Sequence, residues 1–318
     1  MKNALTLVLG VKDIKQQTFI KPVRLRPGDL IGVISPSSPV SRHNIQLSIK
    51  LLENSGFRVR LGRHVYDRQD YLAGNDEDRL ADLHEMFLDP EIKAIFCSRG
   101  GYGSLRILDK IHFDLIKANP KIIVGYSDIT ALLIAIQKMT GLITFHGPVI
   151  EKLAHAHKNN WEILTQLLTS DNYYQKIEFS EGRILYPGKA VGHLIGGNLS
   201  LISHLIGTPY LPSFEGCLLF LEEKGEPLYR IDRMLTHLKL SGQLSGLTGI
   251  MAGEFYECGE MDAINRLLMH IANDLHIPVA SGLPVGHGPM NITLPLGVKA
   301  ELDTNYMTLE IQEVCMES

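Results

Sequence analysis

The sequence predicts an α/β protein, with an N-terminal parallel-sheet α/β domain that carries a candidate nucleophile at a strand-to-helix turn and a C-terminal mixed α/β domain behind it. Three observations predict this. Short apolar runs alternate with stretches whose apolar residues recur at helical spacing, the pattern of a parallel sheet covered on both faces. Two glycine- and serine-bearing turns, SRGGYG at 98–103 and GYSD at 125–128, each follow such a run and precede a helical stretch, so both should leave the carboxyl edge of the sheet. A length of 318 residues suits two domains.

In chain order, residues 1–26 read as an N-terminal extension whose first part, MKNALTLVLGVKD, is a frayed leader or an edge segment without a convincing cleavage site. The first domain is expected over 27–150. Leu30–Ser35 is a strand stopped by PSSP, Ser41–Ser55 a helix with Ile45, Ile49 and Leu52 on one face, and Phe57–Leu61 an alternating strand. A helix over about Asp76–Phe87 leads to a strand at Ala94–Cys97, to SRGGYG and to a helical Ser104–Lys110. Ile122–Val124 is a β-branched run, and Asp128–Lys138 has apolar residues at helical spacing. Residues 151–187 loosen into a polar crossing that holds one helix and the single tryptophan. The second domain, 188–318, opens on Ala190–Ile195 and Gly196-Gly197-Asn198, and continues through a strand at Cys217–Leu221 and a helix at Tyr229–Leu240. Leu247–Met251, a helix over Asp262–Asp274, Pro278–Ala280 and a closing hairpin, Val298–Leu302 with Met307–Ile311, complete it.

Composition narrows the function classes. A net charge of −4 with no long basic run argues against non-specific nucleic-acid binding and a membrane-surface role. No stretch is apolar for the length of a membrane span. Four cysteines without a C-x-x-C pair suggest neither a zinc site nor a disulfide framework, so a reducing compartment is the default.

Ser127 is the residue to explain. At a strand-to-helix turn it could simply cap the following helix. A hydroxyl there is equally placed for attack, beside helix N-terminal N–H groups that would receive an oxyanion. A nucleophilic serine needs a base, and the base a partner. Of thirteen histidines, His43, His84, His204, His237 and His270 fall within helical patterns, and His155 and His157 with Glu151 lack a further metal ligand at a known spacing. His287 differs, being held between Gly286 and Gly288 in a loop that can present an imidazole. Glu222 ends an apolar strand; it is either the charged end of that strand or the partner of the base. Gly100–Gly103 lacks both the G-x-G-x-x-G and the GK[ST] pattern, so an oxyanion hole from the N–H groups of Gly101 and Asp128 fits it better than a nucleotide.

Taken together and in order, SRGGYG, VGYSDIT, IGGNLSLISHLIGTP, LFLEEKGEPLYRIDRML and GLPVGHGPMNITLPLG resemble the LD-carboxypeptidase family of serine peptidases over about Leu30–Leu302. The resemblance implies a Ser-His-Glu triad of Ser127, His287 and Glu222. It further implies a cytoplasmic homodimer, without metal or organic cofactor, that removes the terminal D-alanine from the L,D bond of murein tetrapeptides during peptidoglycan recycling. Such a small-molecule substrate ends in a carboxylate, for which Arg99 is the first candidate and Arg230 and Arg233 the others. The related microcin C immunity peptidases, which cleave an aminoacyl-nucleotide amide, are the alternative; the short LEEKGE loop favours the cell-wall substrate. An α/β-hydrolase esterase is weakened because GYSDI lacks the second glycine of G-x-S-x-G. An inactive muropeptide sensor would have no need of all three candidate residues.

Overall fold

The computed structural model describes residues 18–155, 157–171 and 176–318. The leader-like start therefore lies outside the described residues. From residue 18 the extension is docked on the body: the Ile20 N–H donates to Gly141, the Leu25 N–H to Leu168 and the Arg24 N–H to Glu317.

The first half contains β1 (Leu30–Ile34), α1 (Arg42–Asn54), β2 (Arg58–Leu61), α2 (Asp76–Leu88) and β3 (Ile92–Cys97), followed by α3 (Phe113–Ala118), β4 (Ile122–Gly125), α4 (Ile129–Thr140), β5 (Thr144–His146) and α5 (Ile150–Leu153). The expected helix at Ser104–Lys110 is a 3-10 helix. The crossing holds α6 (Lys158–Thr169), β6 (Lys176–Glu178) and β7 (Arg183–Tyr186). Then follow β8 (Lys189–Asn198), α7 (Leu199–Leu205), β9 (Cys217–Lys224), α8 (Leu228–Leu240), β10 (Gly249–Tyr256), α9 (Met261–Leu275), β11 (Val279–Ser281), β12 (Leu294–Leu296), β13 (Lys299–Asp303) and β14 (Thr308–Ile311).

Two sheets result. The first runs β12-β5-β4-β3-β1-β2, parallel except for β12, which pairs antiparallel with β5. The second runs β6-β14-β13-β8-β9-β10-β11-β7, with β8 to β11 parallel and antiparallel strands on both flanks. The crossing thus supplies both outer strands of the second sheet, and the C-terminal half returns one strand to the first.

Helix α4 locks these parts together. Nearly all of its residues are buried, and it packs against β4 and β5 of the first sheet and against β8 and α7 of the second half. Gly141, in the left-handed region at φ 81°, ends it. Its N-terminus is therefore pinned at the seam between the sheets, directly behind Ser127.

Candidate active site

Four loops meet at the carboxyl ends of β1, β3, β4 and β5, and hydrogen bonds tie them to one another. The hydroxyls of Ser35 and Ser98 are 2.7 Å apart, the Ser38 N–H donates to the Gly100 carbonyl, and Glu151 N–H to that of Ser98. Asp128 is the knot: its buried carboxylate accepts from the Ser37 hydroxyl at 2.5 Å and the Ser104 N–H at 2.8 Å. The side chain of Asp128 is spent on holding three loops in register. Its backbone N–H and that of Gly101 have no protein acceptor among the described residues.

Ser127 stands in the left-handed region at φ 64°. A non-glycine residue held there costs about 1–3 kcal/mol, which packing on both sides must offset. The result is a sharp turn between β4 and α4 that lifts the side chain off the sheet; among the described residues its hydroxyl has no hydrogen-bond partner. Gly100 is pressed against it, since a Cβ on Gly100 would lie 2.8 Å from Ser127 Cβ and 3.0 Å from its Oγ. Ser127 is therefore an elbow residue and not the helix cap; Asp128 occupies that position.

The strand β9 continues past Leu221 to Lys224 and carries two successive carboxylates. Period-two alternation sends them to opposite faces. Glu223 accepts from Asn198 Nδ2, from the Ser200 N–H and from the Ser200 hydroxyl at the start of α7. Burial raises its pKa and these hydrogen bonds lower it in part. Glu222, fully buried, faces the other way, and its Oε2 lies 2.7 Å from His287 Nδ1. Gly286 permits this approach: it has φ 136°, and a Cβ on it would sit 3.1 Å from Glu222 Cβ and 2.9 Å from Glu254 Cβ. The His287 loop is fastened in turn by Asn160, which accepts from the Asn291 N–H and donates to the Pro289 carbonyl, and by Asn291, which accepts from the Gly286 N–H. Gly286→Ala should push the imidazole and the carboxylate apart and lower catalytic turnover by roughly 100-fold, with far-ultraviolet dichroism unchanged.

Two further rings complete the site. The Tyr126 ring lies 4.9 Å from that of His287, so the residue next to Ser127 in the chain covers the imidazole. His146, at the end of β5, is fully buried with its ring 4.9 Å from Phe220 and 6.0 Å from Tyr126. Burial drives its pKa down to about 4, against the pull of Glu222 and with the repulsion of His287. Neither ring nitrogen has a partner among the described residues. The unfolded chain binds a proton here below about pH 6.5 while the folded chain does so only below about pH 4, so this residue's stabilising contribution is complete above pH 6.5 and is lost as the pH falls to about 4. The loss amounts to roughly 3 kcal/mol. Urea denaturation should therefore show a smaller drop in stability between pH 7 and pH 4 for His146→Phe than for the natural chain.

Of the sequence-derived candidates, Glu222 and His287 are in direct contact, Ser127 and Asp128 adjoin them through Tyr126, and Gly101 faces Ser38 on the neighbouring loop. Arg99 stands beside the glycine loop but is engaged, donating to the Pro39 carbonyl at 2.8 Å and lying 3.4 Å from Glu151. Arg230 pairs with Glu226, and Arg233 covers the Tyr229 ring; both line a separate cleft between α7 and α8. Tyr126, His146 and Lys152 were not legible as site residues. The run ITFHGPVI at 143–150, whose turn after an apolar stretch repeats the pattern of the other two loops, is the trace of His146; Tyr126 lies inside GYSD beside Ser127, and Lys152 follows just after that run.

The chain matches two family models, that of the LD-carboxypeptidase N-terminal domain over residues 31–147 and that of the LD-carboxypeptidase C-terminal domain over residues 191–302. It is 41% identical over 300 residues to a probable murein peptide carboxypeptidase of Bacillus subtilis (strain 168), covering 92% of this chain and 94% of that protein. With the murein tetrapeptide carboxypeptidase of Pseudomonas aeruginosa it shares 34% identity over 290 residues, covering 87% and 94%. The crystal structure of an MccF-like protein from Bacillus anthracis superposes with a TM-score of 0.87 at 31% identity, over 92% of this chain and 99% of that one. The matched segments contain the loops after β1, β3 and β4, strand β9 and the His287 loop, and on that basis the chain belongs to the LD-carboxypeptidase family of peptidases.

Proposed function

We propose that this chain is a cytoplasmic serine carboxypeptidase that hydrolyses the L,D amide of murein tetrapeptides and releases the terminal D-alanine. The observation that carries the reading is the buried 2.7 Å contact between Glu222 and His287, the latter in a loop whose Gly286 and Gly288 line a cleft together with Tyr126, one residue from Ser127. Glu222 accepts from Nδ1–H and leaves Nε2 as the basic nitrogen. Nε2 takes the Ser127 proton as Oγ bonds to the scissile carbonyl carbon, and the N–H groups of Gly101 and Asp128 receive the oxyanion. As the tetrahedral adduct collapses, the carbon–nitrogen bond breaks and His287 returns the proton to the departing D-alanine amine. Water repeats the sequence on the acyl-enzyme, freeing the tripeptide acid and Ser127.

The names of the similar carboxypeptidases support murein peptides as the substrate, and among the described residues no helix is long and apolar enough to cross a membrane. A homodimer belongs to the same reading; Tyr229 and Leu240, 59% and 81% exposed on one face of α8, are apolar surface that a second copy could cover. The likeness to MccF structures solved in complex with glutamyl sulfamoyl guanosine and with aspartyl sulfamoyl adenosine favours one other reading, an amide linking an amino acid to a nucleotide. Incubation with a murein tetrapeptide and, separately, with an aminoacyl-nucleotide analogue decides between them. The proposal predicts loss of one alanine from the first and slow or no cleavage of the second, and the reverse pattern overturns it.

A further inference from the structure

A carboxypeptidase must recognise the free carboxylate of the residue it removes. That group is close to the reaction, because only the nitrogen and Cα of the leaving residue separate its carboxyl carbon from the scissile carbonyl, a span of about 4 Å. A cation that binds it must therefore reach into the cleft beside His287. Arg230 and Arg233 line a different cleft, and Arg99 is already engaged with Pro39 and Glu151.

Lys152 meets the requirement. It is the third residue of α5, the short helix that follows β5, and its Nζ lies 5.9 Å from the centre of the Tyr126 ring, the same ring that covers His287. It lines a cleft of about 460 Å³ with Tyr126, His155, His157, Gly286 and Gly288, and no carboxylate contributes to that lining among the described residues. The neighbouring Glu151 is committed elsewhere, to Arg99 at 3.4 Å and to the Ser41 N–H at 2.9 Å. Among the described residues Lys152 has no ion-pair partner, and its outer surface remains open to the cleft. Loss of water first, and then repulsion from Lys224, hold its pKa below the ordinary lysine value, with Arg99 adding to the repulsion and Glu151 and Glu222 opposing it. Among the described residues Lys152 thus faces the cleft without a carboxylate in direct contact with its ammonium.

We infer that Lys152 is the specificity-determining cation of this site, its ammonium receiving the α-carboxylate of the C-terminal residue that is cleaved off, so that the enzyme acts on free chain ends and not on amidated or extended ones. The inference rests on the carboxypeptidase reading above and adds the residue that makes the enzyme an exopeptidase. A charge-assisted contact of this kind discriminates by roughly 10- to 100-fold.

The test compares kcat/KM for a murein tetrapeptide ending in D-alanine with that for the same peptide ending in D-alaninamide, in the natural chain and in Lys152→Met, Lys152→Gln and Lys152→Arg. The natural chain should prefer the free acid, and the preference should collapse by roughly 10- to 100-fold in both neutral variants, mainly through KM. Lys152→Arg should restore most of it. A second neutral variant guards against misfolding of the first, and thermal melting of each identifies that case. An unchanged preference in the folded neutral variants overturns the role of Lys152 while leaving the carboxypeptidase activity standing, as does its collapse in Arg99→Met alone. Absence of any cleavage by the natural chain overturns the activity itself and this inference with it.

Discussion

Glu222→Gln should lower D-alanine release by roughly 10,000-fold while the chain remains folded, an effect of the size seen when the acid of a Ser-His-acid site becomes an amide. The reason is local. Glu222 is fully buried and its Oε2 is the acceptor 2.7 Å from His287 Nδ1. A glutamine keeps the volume but can turn its amide nitrogen toward the ring, in which case Nδ1 becomes the acceptor and the proton moves to Nε2. The imidazole then presents a donor to Ser127 where a base is needed. The amide also cannot balance the imidazolium that forms during attack. Steady-state release of D-alanine, followed by coupled assay, gives the rate, and circular dichroism checks the fold. Full activity in Glu222→Gln would mean that this contact is structural.

Ser127→Ala should have the larger effect, removing measurable turnover, because residual rates without the nucleophile come only from binding and the oxyanion donors. Its effect on stability should be small. The hydroxyl makes no hydrogen bond among the described residues, and alanine occupies φ 64° no more easily than serine does. A replacement that relieves the strain is more informative still. Ser127→Gly should raise stability at this position, since glycine adopts positive φ without penalty, yet be equally inactive. A melting temperature that rises while activity disappears would show that backbone strain is retained for the sake of the side chain.

Much of the fold was legible because its strands are short β-branched runs with turn residues at both ends. Ile122–Val124 and Leu30–Ile34 are short apolar runs bounded by turn residues, the form a strand buried on both faces takes. Legibility failed where an element is too short to show a period. β5 and β12 have three residues each, and β12 includes Pro295 within a Gly- and Pro-rich segment. Their pairing depends on each other: His146 opposes Leu294 across the antiparallel ladder. Strand β9 runs past the expected end at Leu221 because Glu222 and Glu223, which look like a solvated end, are buried, each finding polar partners on its own face.

The candidate site divides in the same way. Ser127 and His287 stand out because glycines and turns surround them, and local backbone chemistry is written in the sequence. Tyr126, His146 and Lys152 could not be found so, because a buried aromatic, a core histidine and a lysine on a one-turn helix are each ordinary until the loops converge. Gly100 illustrates the same limit. The glycine run suggested an anion site from its composition, but its tight fit against Ser127 depends on β3 and β4 lying side by side. Gly100→Ala should therefore cripple turnover through displacement of Ser127, although glycine is not itself a reacting group.

The most direct test of the central claim is D-alanine release from a murein tetrapeptide, measured by mass spectrometry for the natural chain and for Ser127→Ala side by side. Tripeptide and free D-alanine are expected from the natural chain and intact tetrapeptide from the variant. Equal release by the two proteins would contradict the claim.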